Sequence, residues 1–161
     1  MNEWLEELPE DMIVDTEQAV DPRAYLGVGW TFPVDVDLAE CAATDGTVCP
    51  IAMREYEALV AQSIAIILET GKGERVMRPD FGAGLRQLVF EPINSATIAL
   101  VQHQVEDALT LFEPRIDVLS VTVAPHDSLQ GVLNIDLTYR IKLTNSEQNL
   151  VYPFYLEGGG T

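Results

Sequence analysis

Leu111-Phe112-Glu113-Pro114-Arg115-Ile116 separates the longest helical pattern of the chain from a set of strongly alternating segments. Proline cannot continue a helix, and it pushes the residue before it out of αR geometry. The helix is therefore expected to stop at or just before Glu113, and a strand to begin at Ile116. The break leaves a carboxylate and a guanidinium flanking a rigid corner. The residues support two readings. An arginine fork fits a carboxylate or backbone carbonyls on a partner, which makes the corner a docking site. Alternatively, Glu113 and Arg115 pair with each other and only staple the corner, a common and weak arrangement at a surface.

Working outward, the helix before the corner is expected to be capped by Asn94 or Ser95. Ile98, Val101, Val105, Ala108, Leu109 and Phe112 line one of its faces, and His103 reads as an exposed helix residue. After the corner, residues 116–124 alternate Asp117, Leu119, Val121 and Val123 against Val118, Ser120 and Thr122. Residues 132–143 alternate more cleanly, with Leu133, Ile135, Leu137, Tyr139, Ile141 and Leu143 on one face. Asn134, Asp136, Thr138, Arg140 and Lys142 occupy the other, the pattern of a sheet with one buried and one wet face. Residues 145–149 read as the turn, and 150–156 as a last strand whose Pro153 suits an edge.

Upstream, residues 51–70 show helical periodicity through Met53, Tyr56, Leu59, Val60, Ile64, Ile67 and Leu68, with Gly71 as a C-cap candidate. Residues 73–82 read as irregular, with a glycine turn at Gly82 and Gly84 and a short apolar helical turn after it. Arg75, Arg78 and Arg86 concentrate three of the nine basic residues in this region. They either pair internally with Glu74 and Asp80 or form a surface for an acidic partner patch. Trp30, Phe32 and Val34 alternate as in a short strand, with Pro33 favouring an edge. Asp45-Gly46 gives a turn, and residues 35–44 an acidic, Ala-rich loop. Helices and strands segregated in this way predict an α+β domain, an antiparallel sheet with helices packed on one face.

The chain has 161 residues, 47% of them hydrophobic, which suits one domain with a real core. No apolar run approaches the roughly 18 residues of a membrane span, and Met1-Asn2-Glu3-Trp4 lacks the basic start of a secretory signal. The expected location is cytoplasmic, or an assembly built there. The formal charge is −17, and residues 1–24, with eight acids and only Arg23, carry −7 of it. That balance argues against nucleic-acid binding. Residues 1–24 read as a separate acidic arm, either a disordered tail or a peptide in which Trp4, Leu5 and Leu8 form an apolar stripe that docks on a partner through Trp4. Residues 25–157 form the body and 158–161 a loose tail. Cys41 and Cys49 match no zinc or redox spacing, so free thiols are the default expectation, with a loop disulfide as the alternative. With only His103 and His126 besides, neither a metal site nor a cofactor is expected.

An ordered set of motifs resembles one family. It comprises Leu26-Gly27-Val28-Gly29-Trp30-Thr31-Phe32-Pro33 followed by the Asp-Gly turn, Ile67-Leu68-Glu69-Thr70, Gly73-Glu74-Arg75, Arg78-Pro79-Asp80-Phe81-Gly82, Gly84-Leu85, and Glu113-Pro114-Arg115. It is similar to the lysozyme-like baseplate wedge family of contractile phage tails, with relatives in type VI secretion baseplates, R-type tailocins and extracellular contractile injection systems. The resemblance covers about residues 25–143. It implies a structural, non-enzymatic role: holding a bundle of larger wedge subunits and starting assembly of the sheath. It also implies that Glu113, Pro114 and Arg115 are the main contact between subunits, with Arg75, Arg78 and Trp4 as further partner-binding candidates. The first sheath ring would add strands to an edge of the C-terminal sheet, for which residues 133–143 are long enough. A hydrolase would need two carboxylates flanking a cleft, and no acid here lies in an apolar, aromatic-rich stretch. Glu113 comes nearest, and a guanidinium beside it favours the charged form, the wrong state for a general acid. A soluble regulatory adaptor is the third reading. It would bind one partner and assemble nothing.

Overall fold

Alternation puts Val28 and Trp30 on one side of the backbone and Gly29 on the other, and that glycine sets how the first ribbon packs. A Cβ at Gly29 would meet Leu59 Cδ1 at 2.9 Å. The computed structural model, which describes residues 21–36, 49–126, 129 and 131–156, therefore lays strand β1 (Val28–Trp30) tightly against helix α1 (Tyr56–Glu69). β1 pairs antiparallel with β2 (Met53–Glu55). The Gln62 side chain fastens this ribbon to α1, accepting from Phe32 N at 2.9 Å and donating to Trp30 O at 2.8 Å. The helix expected over 51–70 thus starts later, because Met53–Glu55 is taken by pairing with β1. The backbone then turns through a positive φ of 51° at Tyr56. The Trp4 stripe, the Asp45-Gly46 turn, Cys41 and the 158–161 tail lie outside the described residues. Cys49 is disulfide-bonded rather than a free thiol.

α1 does not end on a left-handed glycine. The Thr70 amide and hydroxyl both donate to Ile66 O, at 3.0 and 2.6 Å, and Glu74 Oε2 accepts from Gly71 N at 2.9 Å. The special backbone geometry falls at Gly82, where φ is +104° and a Cβ would lie 2.2 Å from Thr70 O. A 3₁₀ turn (Leu85–Leu88) follows. Helix α2 (Ser95–Phe112) is capped by Asn94, whose side chain accepts from Thr97 N at 2.8 Å, and it ends with Glu113 as C-cap.

Strands β3 (Ile116–Pro125), β4 (Val132–Ile141) and β5 (Ser146–Tyr155) form an antiparallel meander in the order β3-β4-β5. With the β1–β2 ribbon and the two helices this is an α+β fold. Leu119 departs from its expected face. The β3–β4 register shifts between Val118 and Ser120, a bulge that turns Leu119 outward while Ile116, Val121 and Val123 stay buried. β4 ends at Ile141, leaving Leu143 exposed in the turn. The polar stretch read as a loop over 145–149 belongs almost entirely to β5, with Ser146 opposite Ile141 and Asn149 opposite Thr138. An edge strand with a wet face tolerates such residues, and the turn closes on Asn145 at φ 51°.

The buried residues of both helices and of the apolar sheet face form one cluster, including Val60, Ile64, Val101, Val105, Leu109, Leu133, Ile135 and Leu137. Every described member lies between Leu26 and Leu156. A chain starting at residue 21 is therefore expected to keep a single cooperative unfolding transition, followed by far-ultraviolet circular dichroism. A lost transition would place Trp4 and Leu5 in the core.

Candidate docking site

The corner is built from its charged pair outward. Arg115 grips Glu113 with two parallel bonds, Nε to Oε1 at 2.6 Å and Nη2 to Oε2 at 2.7 Å. The same guanidinium donates from Nη1 to Leu26 O at 2.7 Å and from Nη2 to Ser63 Oγ at 2.9 Å. Glu113 is 3% exposed and the Arg115 side chain 29%. The Glu113 hydrogen bonds raise the Arg115 pKa above its ordinary value against the opposing effect of burial. Burial, with the Glu113 charge as a second cause, also raises the Tyr139 phenol. Lys142 closes the other side, donating from Nζ to Pro114 O at 2.9 Å and from its amide to Arg115 O at 3.0 Å. What the corner shows to solvent is the Pro114 ring and part of Arg115.

Beside it lies a cation–aromatic platform. The Arg75 guanidinium stands 3.7 Å over the Phe81 ring, Phe81 and Phe112 have centroids 4.9 Å apart, and Arg78 stands 5.8 Å from the Phe112 centroid. Of the internal pairings expected for this region, Arg86 with Glu74 forms, at 2.8 Å. Among the described residues neither Arg75 nor Arg78 has a carboxylate within ion-pair distance. A groove of ≈ 380 Å³ runs between platform and corner, lined by Ser63, Ile66, Arg75, Phe81, Phe112 and Glu113-Pro114-Arg115 among others. Five of the six partner-binding candidates, Arg75, Arg78, Glu113, Pro114 and Arg115, thus come together. Trp4 lies outside the described residues.

Phe81, in the segment that reads as irregular, and Phe112, on the apolar face of the helix, both pack on the core and also carry the guanidiniums. Their positions three residues after Arg78 and one before Glu113 were the available signal. The outward face of the ribbon is a second unread feature: Trp30 is 61% exposed, with Val28 and Met53 beside it. The strand expected to offer a free edge, 133–143, is β4, which is central and paired on both sides. The edges are β3 and β5. α2 packs along β3, whereas β5 borders a groove of ≈ 350 Å³ shared with Leu68, Leu85 and Val89. Among the described residues no group of three acidic, His or Cys side chains could hold a metal, and no helix is long and apolar enough to cross a membrane.

Removing one member of a buried ion pair strands the other, typically at about 3–5 kcal/mol. Glu113→Ala and Arg115→Ala are each expected to lower stability by that order in urea denaturation, while the double variant loses less than the sum of the two. Additive losses would show that the pair is not a coupled unit.

The family model described as Baseplate wedge protein gp25 matches residues 54–146. Baseplate wedge protein gp25 of Enterobacteria phage T4 is 38% identical over 66 residues, which are 41% of this chain and 50% of that protein, so the match spans half of that relative. Baseplate protein W of Escherichia phage P2 is 33% identical over 94 residues, 58% of this chain and 80% of that protein. A Geobacter sulfurreducens crystal structure described as a candidate tail lysozyme is 52% identical, with a TM-score of 0.59, over 65% of this chain and 94% of that one. A chain of the anti-feeding prophage baseplate shares the fold at 22% identity, with a TM-score of 0.55, over 84% of this chain and 89% of that one. Matched through α1, the corner and most of the sheet, the chain belongs to the baseplate wedge protein gp25 family.

Proposed function

We propose that this chain is a structural wedge component in the baseplate of a contractile tail or injection particle, built in the cytoplasm. It docks on larger wedge subunits through the Glu113-Pro114-Arg115 corner and the adjoining Arg75 and Arg78, and it receives the first ring of sheath protein at an edge of the C-terminal sheet. The observation that carries the docking reading is the pair of guanidiniums on Phe81 and Phe112, which have no carboxylate partner among the described residues, next to a corner whose backbone is already immobilised. A surface ordered before binding loses little entropy on docking. The Arg75→Glu/Arg78→Glu variant is expected to melt like the parent, because both side chains are exposed, and to be missing from baseplates purified from an assembling host. Normal incorporation would sink this docking surface.

Strand addition needs an edge with free backbone groups. β5 supplies ten residues. Pro153 has no amide hydrogen to give to β4, so Val151, two residues away, shares its outward N–H direction. Val151→Pro is expected to leave a folded chain in complete baseplates from which sheath fails to polymerise, as counted by electron microscopy. Sheath of normal length would rule out β5 as the receiving edge.

The role is read as non-enzymatic. The Geobacter relative's description raises the hydrolase alternative, but both Glu113 oxygens are held by Arg115. In this reading neither is free to protonate a leaving group. The purified chain is expected to leave peptidoglycan turbidity unchanged, and clearing abolished by Glu113→Gln would overturn the structural assignment.

A further inference from the structure

Five of the nine basic residues are committed to ion pairs: Arg23, Arg86, Arg115, Arg140 and Lys142. Among the described residues Arg75 and Arg78 have no such partner. They stand on aromatic faces, and between them Val76 and Met77 are 92% and 91% exposed. Two guanidiniums flanking two bare apolar side chains, beside an open groove, fit an acidic peptide with apolar anchors. The nearby carboxylates compete little: Glu74 is bound to Arg86 and Glu113 to Arg115, and Asp80 shares the next groove with Lys72.

Residues 1–20 have that chemistry. They hold seven acids, no lysine or arginine, and Trp4, Leu5, Leu8, Met12, Ile13 and Val14. We propose that the Arg75–Arg78 platform is occupied, in the unassembled chain, by this chain's own acidic N-terminal arm, with its apolar residues against Val76, Met77 and the groove. The attachment point favours contact in cis. The arm joins the body at Asp21, and five residues later Leu26 O is bonded to Arg115, which walls the same groove. A random coil of twenty residues would span roughly 22–27 Å on average, at about 5–6 Å times the square root of the residue number. A short tether also holds its end at an effective concentration on the order of millimolar, so even a weak contact is well populated. The contact does not depend on the wedge reading. Under that reading the arm covers the docking surface until a wedge subunit displaces it.

The test uses the full chain with Trp30→Phe, which leaves Trp4 as the sole tryptophan, and measures acrylamide quenching of its fluorescence. Trp4 is expected to be protected at low salt. Its quenching constant should rise at least about twofold in 1 M NaCl, where the screening length falls to about 3 Å. Arg75→Glu/Arg78→Glu should give the same release, as should Glu6→Lys/Glu7→Lys/Glu10→Lys, which leaves the platform untouched and serves if the first variant fails to fold. Protection that is unchanged on serial dilution of the chain supports the contact in cis. Equal quenching of parent and variants overturns it. Protection that appears only as the chain is concentrated assigns the arm to a second copy and also overturns it. No baseplate is present in the assay, so failed wedge docking and failed arm binding give separate results.

Discussion

The Glu113–Arg115 pair is the interaction on which the arrangement of the other elements depends. One guanidinium joins the end of α2, the middle of α1 through Ser63, and the chain just before β1 through Leu26 O. Burying a carboxylate and a guanidinium carries a large desolvation cost, which is offset only when their hydrogen-bonding capacity is met. Here both Glu113 oxygens accept and three guanidinium nitrogens donate. The pair therefore acts less as a source of net stability than as a condition: the helices, the ribbon and β3 must all be in place before the charges are satisfied. That explains why a corner containing a proline and two charges can have defined geometry at the surface.

The same pair shows where reading the sequence succeeds and where it stops. The helix stop at Pro114, the Asn94 cap and the apolar face of β4 depend on neighbours a few residues away, so they were legible. The partners of Arg115 were not, because Ser63 and Leu26 lie 52 and 89 residues from it. The start of α1 was misplaced for a related reason. Met53 fits a helical stripe equally well, and only pairing with Trp30 assigns it to a strand. In β3 the bulge preserves the look of alternation while changing which residues face inward. On β5, polar composition read as a loop conceals an edge strand supported by β4. At the candidate site the concentration of arginines was visible. Which of them Glu74 would take, leaving Arg75 and Arg78 on aromatic rings, is a result of packing.

The molecule separates its polar work by face. The apolar sheet face and both helices form the core, and the outer sheet face carries Asp117 with Arg140 and Lys142 at 3.3 and 3.4 Å, exposed pairs worth little to stability. The surface around Phe81 and Phe112 differs, because its positive charge has no counterpart within the described fold. The outward side of the β1–β2 ribbon differs in another way, offering Val28, Trp30 and Met53 with Glu55, opposite Val28, as the charge on that face. The fold thus presents one electrostatic and one largely apolar surface, each tied to α1, the first through Ser63 at the corner and the second through Gln62 at the ribbon.

A motif fastened as Glu113 and Arg115 are answers to folding before it answers to any partner. A lineage that lost every binding partner would still retain the two residues, since discarding either strands a charge inside the domain. Recurrence of the pair among relatives would therefore record the demands of folding whether or not an interface exists. The position between them is under a different regime. Pro114 projects outward with no hydrogen to donate, and drift at that site, read against constancy on either side of it, is where evolutionary history would separate contact from architecture.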